Sequence, residues 1–240
     1  KRDEIGGNLH VAKKPPFKGK FEWAIDYYKS MAKKLNITMK LGKEVTAQEV
    51  LALKPYSILV ATGSNVISIP LEGLDQVQTV QAHDVLANDM QFANKKVVVI
   101  GGGITGLETA LYINRQGTNQ VSVVDMLPEW PVDMLDMRYQ NEALLEVRHC
   151  NDQGVALFYN NKVVKFADGK LFIESTKDGE VKELPADVIV LSVGVKPNDA
   201  LWQELLASGH PSVWKAGDAI ATGKINKAVL HGSKFGYSLN

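Results

Sequence analysis

The sequence is poor in the residues that build covalent or metal-held frameworks. Cys150 is the single cysteine among 240 residues, which excludes an intrachain disulfide framework, a CxxC redox pair and a cysteine-based zinc site. Lying at the end of a polar helical stretch, it reads as structural or incidental. The five histidines, His10, His83, His149, His210 and His231, are scattered without ligand spacing. No Ser/His/Asp arrangement stands out, so no metal and no catalytic side chain is expected. Lys and Arg number 27, as do Asp and Glu. With charges balanced and no basic tract, neither nucleic acid nor a membrane surface is an expected partner. No apolar run reaches the roughly 20 residues that cross a bilayer, and no signal peptide is visible. The expectation is a cytoplasmic protein of one large or two small domains, with enough apolar content for a proper core.

One stretch stands out, Lys96 to Asp125. Val97-Val98-Val99-Ile100 is a β-branched strand signal. Gly101, Gly103 and Gly106 follow in G-x-G-x-x-G spacing. Leu107, Ala110, Leu111 and Ile113 are helix-spaced, Gly117 is a stop, and Val121 to Val124 is a second strand ending in Asp125. Strand, glycine turn, helix, strand and acid together form the dinucleotide-binding fingerprint. Gly101 allows the tight turn, Gly103 lets backbone approach a pyrophosphate, and Gly106 lets helix and sheet pack closely. Gly101, Gly102, Gly103, Ile104, Thr105 and Gly106 form the expected phosphate cradle at a helix start. A glycine-rich packing turn explains the glycines but not Asp125, which is placed to accept hydrogen bonds from ribose hydroxyls. Met126, Leu127 and Pro128 follow it, with no Arg for a 2′-phosphate, so NAD(H) is expected over NADP(H).

The rest of the chain frames this unit. Lys13 to Lys20, with Pro15-Pro16, reads as a loop. Phe21, Ile25, Tyr28, Met31 and Leu35 mark an amphipathic helix whose aromatic stripe reads as core. Ile37 to Leu41 alternates like a strand, and Thr46 with Glu49 forms a capping-box signal for a helix ending near Leu53. Tyr56 to Ala61 is a buried strand, Ser64 to Gly73 a loop, and Ala82 to Leu86 a connecting segment. Leu127 to Val132, containing Trp130, is a loop. Met134 to Val147 is helical, with Met137, Leu144 and Leu145 as core contacts. Val155 to Tyr159 returns as a strand. Val163 to Phe166, Lys170 to Ser175 and Glu180 to Leu184, separated by Asp168-Gly169 and Asp178-Gly179, predict a three-stranded antiparallel meander. Asp187 to Val193 is a buried strand. A helix over Asp199 to Ala207, a short strand over Ser212 to Lys215 and a helix over Lys224 to Leu239 complete the chain.

Taken together the chain resembles the two-dinucleotide-binding-domain flavoproteins. Gly6-Gly7-Asn8-Leu9 is similar to the turn after their first FAD strand pair. Ser57 to Gly63 resembles their "ATG" strand, Ala186 to Asn198 their second such strand and its crossover, and Val213 to Ala219 their closing FAD motif. The wording GGGITGLETA, VSVVDMLPEW and AGDAIATGKINKAVLHG resembles the C-terminal half of the old yellow enzyme-like NADH:flavin oxidoreductases, the 2-enoate and 2,4-dienoyl-CoA reductase group. This implies an α/β fold in which a Rossmann-like parallel sheet with an antiparallel three-stranded meander, the NAD(H) domain, is inserted in a truncated FAD-binding domain. The implied boundaries are 1–81 and 198–240 for FAD, and 82–197 for NAD(H).

The resemblance also implies roles. Glu108, Val193 and Gly194 lie near the nicotinamide. Glu108 can equally be read as a helix-start carboxylate favoured by the dipole. Gly6, Gly7, Asn8, Leu9, Ala61, Thr62, Gly63, Gly217, Asp218, Ala228 and Val229 would contact FAD, Asp218 through the ribityl chain. The family's first strand and FAD glycine fingerprint are not in the sequence. The expectation is therefore a piece of a longer enzyme, colourless when purified alone. An N-terminal barrel with FMN and an iron–sulfur cluster would belong to the same polypeptide and reduce an activated alkene. The alternatives are a pyridine-nucleotide disulfide reductase, a rubredoxin or ferredoxin reductase, and a non-catalytic NAD-binding or docking module.

Overall fold

The computed structural model describes residues 2–128 and 137–239, with backbone alone for 137–140. The helices are α1 (Leu9–Ala12), α2 (Phe21–Lys34), α3 (Ala47–Ala52), α4 (Ala82–Ala87), α5 (Ile104–Asn114), α6 (Met137–Asp152), α7 (Ala200–Ala207) and α8 (Ile225–Ser238). The strands are β1 (Ile58–Val60), β2 (Ser64–Val66), β3 (Gln78–Gln81), β4 (Lys96–Ile100), β5 (Gln120–Val124), β6 (Ala156–Phe158), β7 (Asn161–Ala167), β8 (Lys170–Ser175), β9 (Val181–Pro185), β10 (Val188–Leu191), β11 (Val195–Pro197) and β12 (Val213–Lys215). They form two compact units, one from Lys1–Asp3, Lys40–Ile67 and Gly194–Asn240, the other from Glu4–Met39 and Ser68–Val193.

The larger unit is built on a parallel sheet of order β3-β10-β4-β5-β6. β10 is buried along its whole length and β4 along all but Lys96, because both faces of this sheet are covered. The two-residue side-chain period divides the load. Val97, Val99, Val121, Val123, Val188 and Val190 pack under Leu107, Ala110 and Leu111 of α5, with Val147 and Cys150 of α6. Val98, Ile100, Val124, Ile189 and Leu191 face the other way, onto Phe166, Leu171 and Ile173 of the antiparallel meander β7-β8-β9. The meander is thus a third layer of the unit. Its first turn has Asp168 at φ 51° and Gly169 at φ 73°, the left-handed pair of a type I′ hairpin.

In the smaller unit β1 and β12 pair in parallel, and β2 pairs antiparallel with β11. Ile58, Val60 and Leu205 form its core with Val50, Leu51, Leu201 and Trp202. Thr46 caps α3 in a full capping box with Glu49. Among the described residues no helix is long and apolar enough to cross a membrane, and no group of three or more His, Cys, Asp or Glu could hold a metal ion.

Several local expectations are corrected. Ile37 to Leu41 forms no strand, and Ile37, Met39 and Leu41 are exposed; its alternation finds no pairing partner among the described residues. β2 lies inside the expected Ser64 to Gly73 loop, because a three-residue strand is defined by its partner β11 and not by local pattern. Ala82 to Leu86 is helical, with Ala82, Val85 and Leu86 buried. On α6 the buried face carries Ala143, Val147 and Cys150, which leaves Leu144 and Leu145 exposed. On α2, Ile25 and Ala32 are buried, whereas Tyr28 and the C-cap residue Leu35 are exposed. Trp130 and Met134, and the side chain of Met137, lie outside the described residues.

Candidate functional site

The parallel strands of the larger unit end at the glycine turn. Gly101 leaves β4 at φ 109°, and a Cβ there would stand 2.2 Å from the Ser192 carbonyl oxygen. At Gly106 a Cβ would stand 1.9 Å from the Gly101 carbonyl oxygen. Only glycine lets α5 seat this closely on the turn. Gly103 differs: it is the N-cap of α5 and a Cβ would meet nothing within 4 Å. The outer glycines therefore serve the protein's own packing, and the middle one leaves open backbone beside the helix start. The first N–H groups of a helix have no intrahelical partner and carry its positive dipole end. This open backbone fits a dinucleotide pyrophosphate.

Asp125 follows β5 and turns back onto the turn. Its Oδ2 accepts from the Gly102 N–H at 2.6 Å and its Oδ1 from the Leu127 N–H at 2.8 Å. The acid is held in place before any ligand arrives, and each oxygen has further acceptor capacity. Met126, beside it, is exposed. Tyr159 is a neighbour that the glycine motif itself does not reveal. A Cβ on Gly102 would lie 3.0 Å from its ring, and the signal that could have found it is its place just after β6, paired in register with β5. The Ser192 N–H donates to the Ile100 carbonyl at 2.8 Å, which brings the end of β10 and Val193 beside Gly101. Gly194 falls in the other unit.

Glu108 lies beyond the first turn of α5, which holds no acidic residue, so the dipole reading does not describe it. It is buried, and its carboxylate pairs with Lys18, 90 residues earlier. The Lys18 ammonium also donates to Glu142 at 2.7 Å. Burial pushes the Glu108 carboxyl above its ordinary value, with Lys18 opposing. Burial pulls on Lys18 too, yet its two carboxylate partners hold it above the usual range. The two partners shift in the sense favoured by different forces because Glu108 is the more deeply desolvated. Phe17, next to Lys18, has φ 70°; its ring lies 4.6 Å from the Arg115 guanidinium and 4.9 Å from the His149 ring. Cys150 is buried against the Leu107 carbonyl, and burial pushes its thiol up to about 12.

The residues expected at FAD are not all in one unit. Gly6, Gly7, Asn8 and Leu9 turn into α1 within the larger unit, with Gly7 at φ 52°. Ala61, Thr62 and Gly63 follow β1 in the smaller unit, where the Asn198 N–H donates to the Gly63 carbonyl at 3.0 Å and the Thr62 hydroxyl to the Asn198 carbonyl. Gly217 and Asp218 form a 3-10 turn, and Ala228 and Val229 lie on α8. A Cβ at Gly7 or Gly63 would meet nothing within 4 Å.

Residues 25–230 match the family described as pyridine nucleotide-disulphide oxidoreductase. The chain belongs to that family. It is similar to an NADH oxidase of Thermoanaerobacter brockii, 30% identical over 100% of this chain and 36% of that protein. It is similar to a bilirubin reductase of Mediterraneibacter gnavus, 33% identical over 82% of this chain and 30% of that protein. The solved structure of a 2-naphthoyl-CoA reductase with 2-naphthoyl-CoA matches with a TM-score of 0.87 and 27% identity, covering 98% of this chain and 35% of that one. The chain thus spans about a third of the length of these relatives. The resemblance to old yellow enzyme-type two-domain flavoproteins is borne out, and the family's domain implies flavin and nicotinamide cofactors.

Proposed function

We propose that this chain is the NADH-binding reductase portion of a larger flavoprotein, passing hydride from NADH to FAD and on to a second flavin that reduces an activated alkene of enoate or dienoyl type. The observation that carries the nucleotide part is the glycine turn. Gly103 is open, Gly101 and Gly106 are closed by the backbone of Ser192 and of Gly101, and Asp125 is pinned to Gly102 at 2.6 Å. The α5 start would hold the pyrophosphate, and Asp125 would accept from the adenosine ribose hydroxyls. Glu108, paired with Lys18, and Val193-Gly194 would border the nicotinamide. Thr62-Gly63 and Gly217-Asp218, with Ala228-Val229 near the start of α8, would hold the flavin. When bound, the two cofactors supply the hydride and its acceptor; the side chains here bind and orient and need move no proton. FMN and an iron–sulfur cluster would reside in an N-terminal barrel of the same polypeptide. The relatives' names, reductases of bilirubin and of 2-naphthoyl-CoA, support a conjugated, unsaturated substrate.

Cys150, buried with its thiol pushed up to about 12, does not fit the redox-active thiol of a disulfide reductase, which would have to come from elsewhere in the polypeptide. Side-by-side titration of the chain with NADH and NADPH tests the nucleotide reading. Hydrogen bonds to a charged group contribute about 1.5–3 kcal/mol, so NADH should bind roughly 10- to 150-fold more tightly. Equal or tighter NADPH binding would overturn it. The full-length polypeptide, offered an enoate and a disulfide with NADH, should reduce the former.

A further inference from the structure

The flavin-side turn is anchored in an unusual way. The first N–H of a short helical turn needs an acceptor, ordinarily the side chain just before it. Here that residue is Ala216, which has no acceptor, and whose own N–H goes to the Val60 carbonyl at 2.9 Å. The Gly217 N–H instead donates to Nδ1 of His231 at 3.1 Å. His231 is 14 residues on, on α8. Ala228, three residues before it and so on the same helix face, lies 3.4 Å from where a Gly217 Cβ would be. The turn therefore sits directly on the Ala228/His231 face. From it Asp218 is held through both oxygens, Oδ1 by the Gly223 N–H at 3.0 Å and Oδ2 by the Ser64 hydroxyl at 3.3 Å.

We infer that His231 is a positioning residue for flavin binding. It fixes the acid expected at the ribityl chain relative to the α8 segment expected at the flavin ring, and in this it rests on the reading above. One imidazole thereby sets the spacing of two elements that must meet the same cofactor. Accepting at Nδ1 requires that nitrogen to be bare, so the ring carries its proton on Nε2.

The contact is testable on this chain without flavin. Imidazole nitrogen NMR should show the Nε2–H tautomer for His231. The Gly217 amide should lose hydrogen-exchange protection in His231→Leu and keep it in His231→Asn, whose side-chain oxygen can replace Nδ1. A protonated Nδ1, or unchanged Gly217 protection in the Leu variant, overturns the contact. In the full-length polypeptide FAD should leave roughly 3- to 10-fold faster from His231→Leu, the worth of one hydrogen bond, and at the wild-type rate from His231→Asn. Unchanged release from His231→Leu, with Gly217 deprotected, overturns the role while leaving the flavin reading intact. Wild-type protein that takes up no FAD overturns both.

Discussion

Lys18→Met should destabilise the larger unit more than the loss of a surface charge would, and the loss should depend on pH. Methionine keeps the apolar stem and removes the ammonium. The Lys18 and Glu108 side chains retain 19% and 10% of their exposure, so the pair is not a solvent-screened one. Removing one partner of a buried pair costs about 3–5 kcal/mol because a charge is left uncompensated. Glu108 can escape part of that by taking up a proton, so the expected loss is about 2–4 kcal/mol at pH 8. The sign follows from burial. A carboxyl whose folded value lies above its ordinary 4.5 favours the native state at low pH, and that advantage is lost as pH rises through the folded value. Glu108 is already such a group with Lys18 present, and Glu146, lifted by burial and opposed by Lys18, adds to it. Without the ammonium both shifts widen, so the deficit should be small near pH 4.5 and grow towards pH 8. Urea titration at several pH values, read by hydrogen exchange of the β4 core amides, isolates this unit from the other. Adding Glu108→Gln to Lys18→Met should restore much of the loss at pH 8. A deficit below about 1 kcal/mol that is flat with pH would refute the reasoning, since that is how exposed pairs behave.

The glycine turn yields a contrasting pair. Gly106→Ala places a Cβ 1.9 Å from the Gly101 carbonyl and should cost about 1–3 kcal/mol of stability as overpacking. Gly103→Ala meets no protein atom within 4 Å, so it should melt like the parent and lose NADH affinity only. A Gly103→Ala variant that binds NADH normally would mean that no pyrophosphate approaches there. Cys150, buried with its thiol pushed up to about 12, should resist an aromatic disulfide reagent at pH 8 and react on unfolding; rapid native labelling would contradict its placement. Thr46→Ala removes the N-cap oxygen of α3 and one half of its capping box, and should lower stability of the smaller unit by about 1 kcal/mol in a urea melt.

What could be read from the sequence was what local pattern encodes. The run Lys96–Ile100, the glycine spacing and the acid after Val124 each carry their own signal. So do Asp168-Gly169, where both residues need φ > 0, and Thr46 with Glu49. These are short-range matters of backbone conformation and side-chain period. Lys18 on Glu108 and His231 under Gly217 were not readable, because each depends on which distant surfaces meet. The same holds for β2 and β11, three residues apiece with no buried face. Residues 4–39 lie within a segment expected beside FAD, yet they cluster with Ser68–Val193; nothing in their helical period says which unit they join. At the candidate site the glycines and Asp125 were legible, whereas the partners that hold their neighbours were not.

The pairing of β2 with β11 has a consequence for how the chain acquires its structure. Ser57 and Ser212, which share a 2.7 Å hydrogen bond just before β1 and β12, are 155 residues apart, while the Ile67 N–H meets the Gly194 carbonyl at 3.0 Å. As the polypeptide leaves the ribosome, β1 must wait for β12, and an unstructured loop of that length closes slowly. The residues between Ile67 and Gly194 contain all five strands of the parallel sheet. Once they have folded, the long loop shrinks to the short gap between its two ends. Assembly of β1 on β12 is then a late event, waiting on the sheet, and a lesion in β4 or β10 should delay a strand pair to which neither contributes a residue.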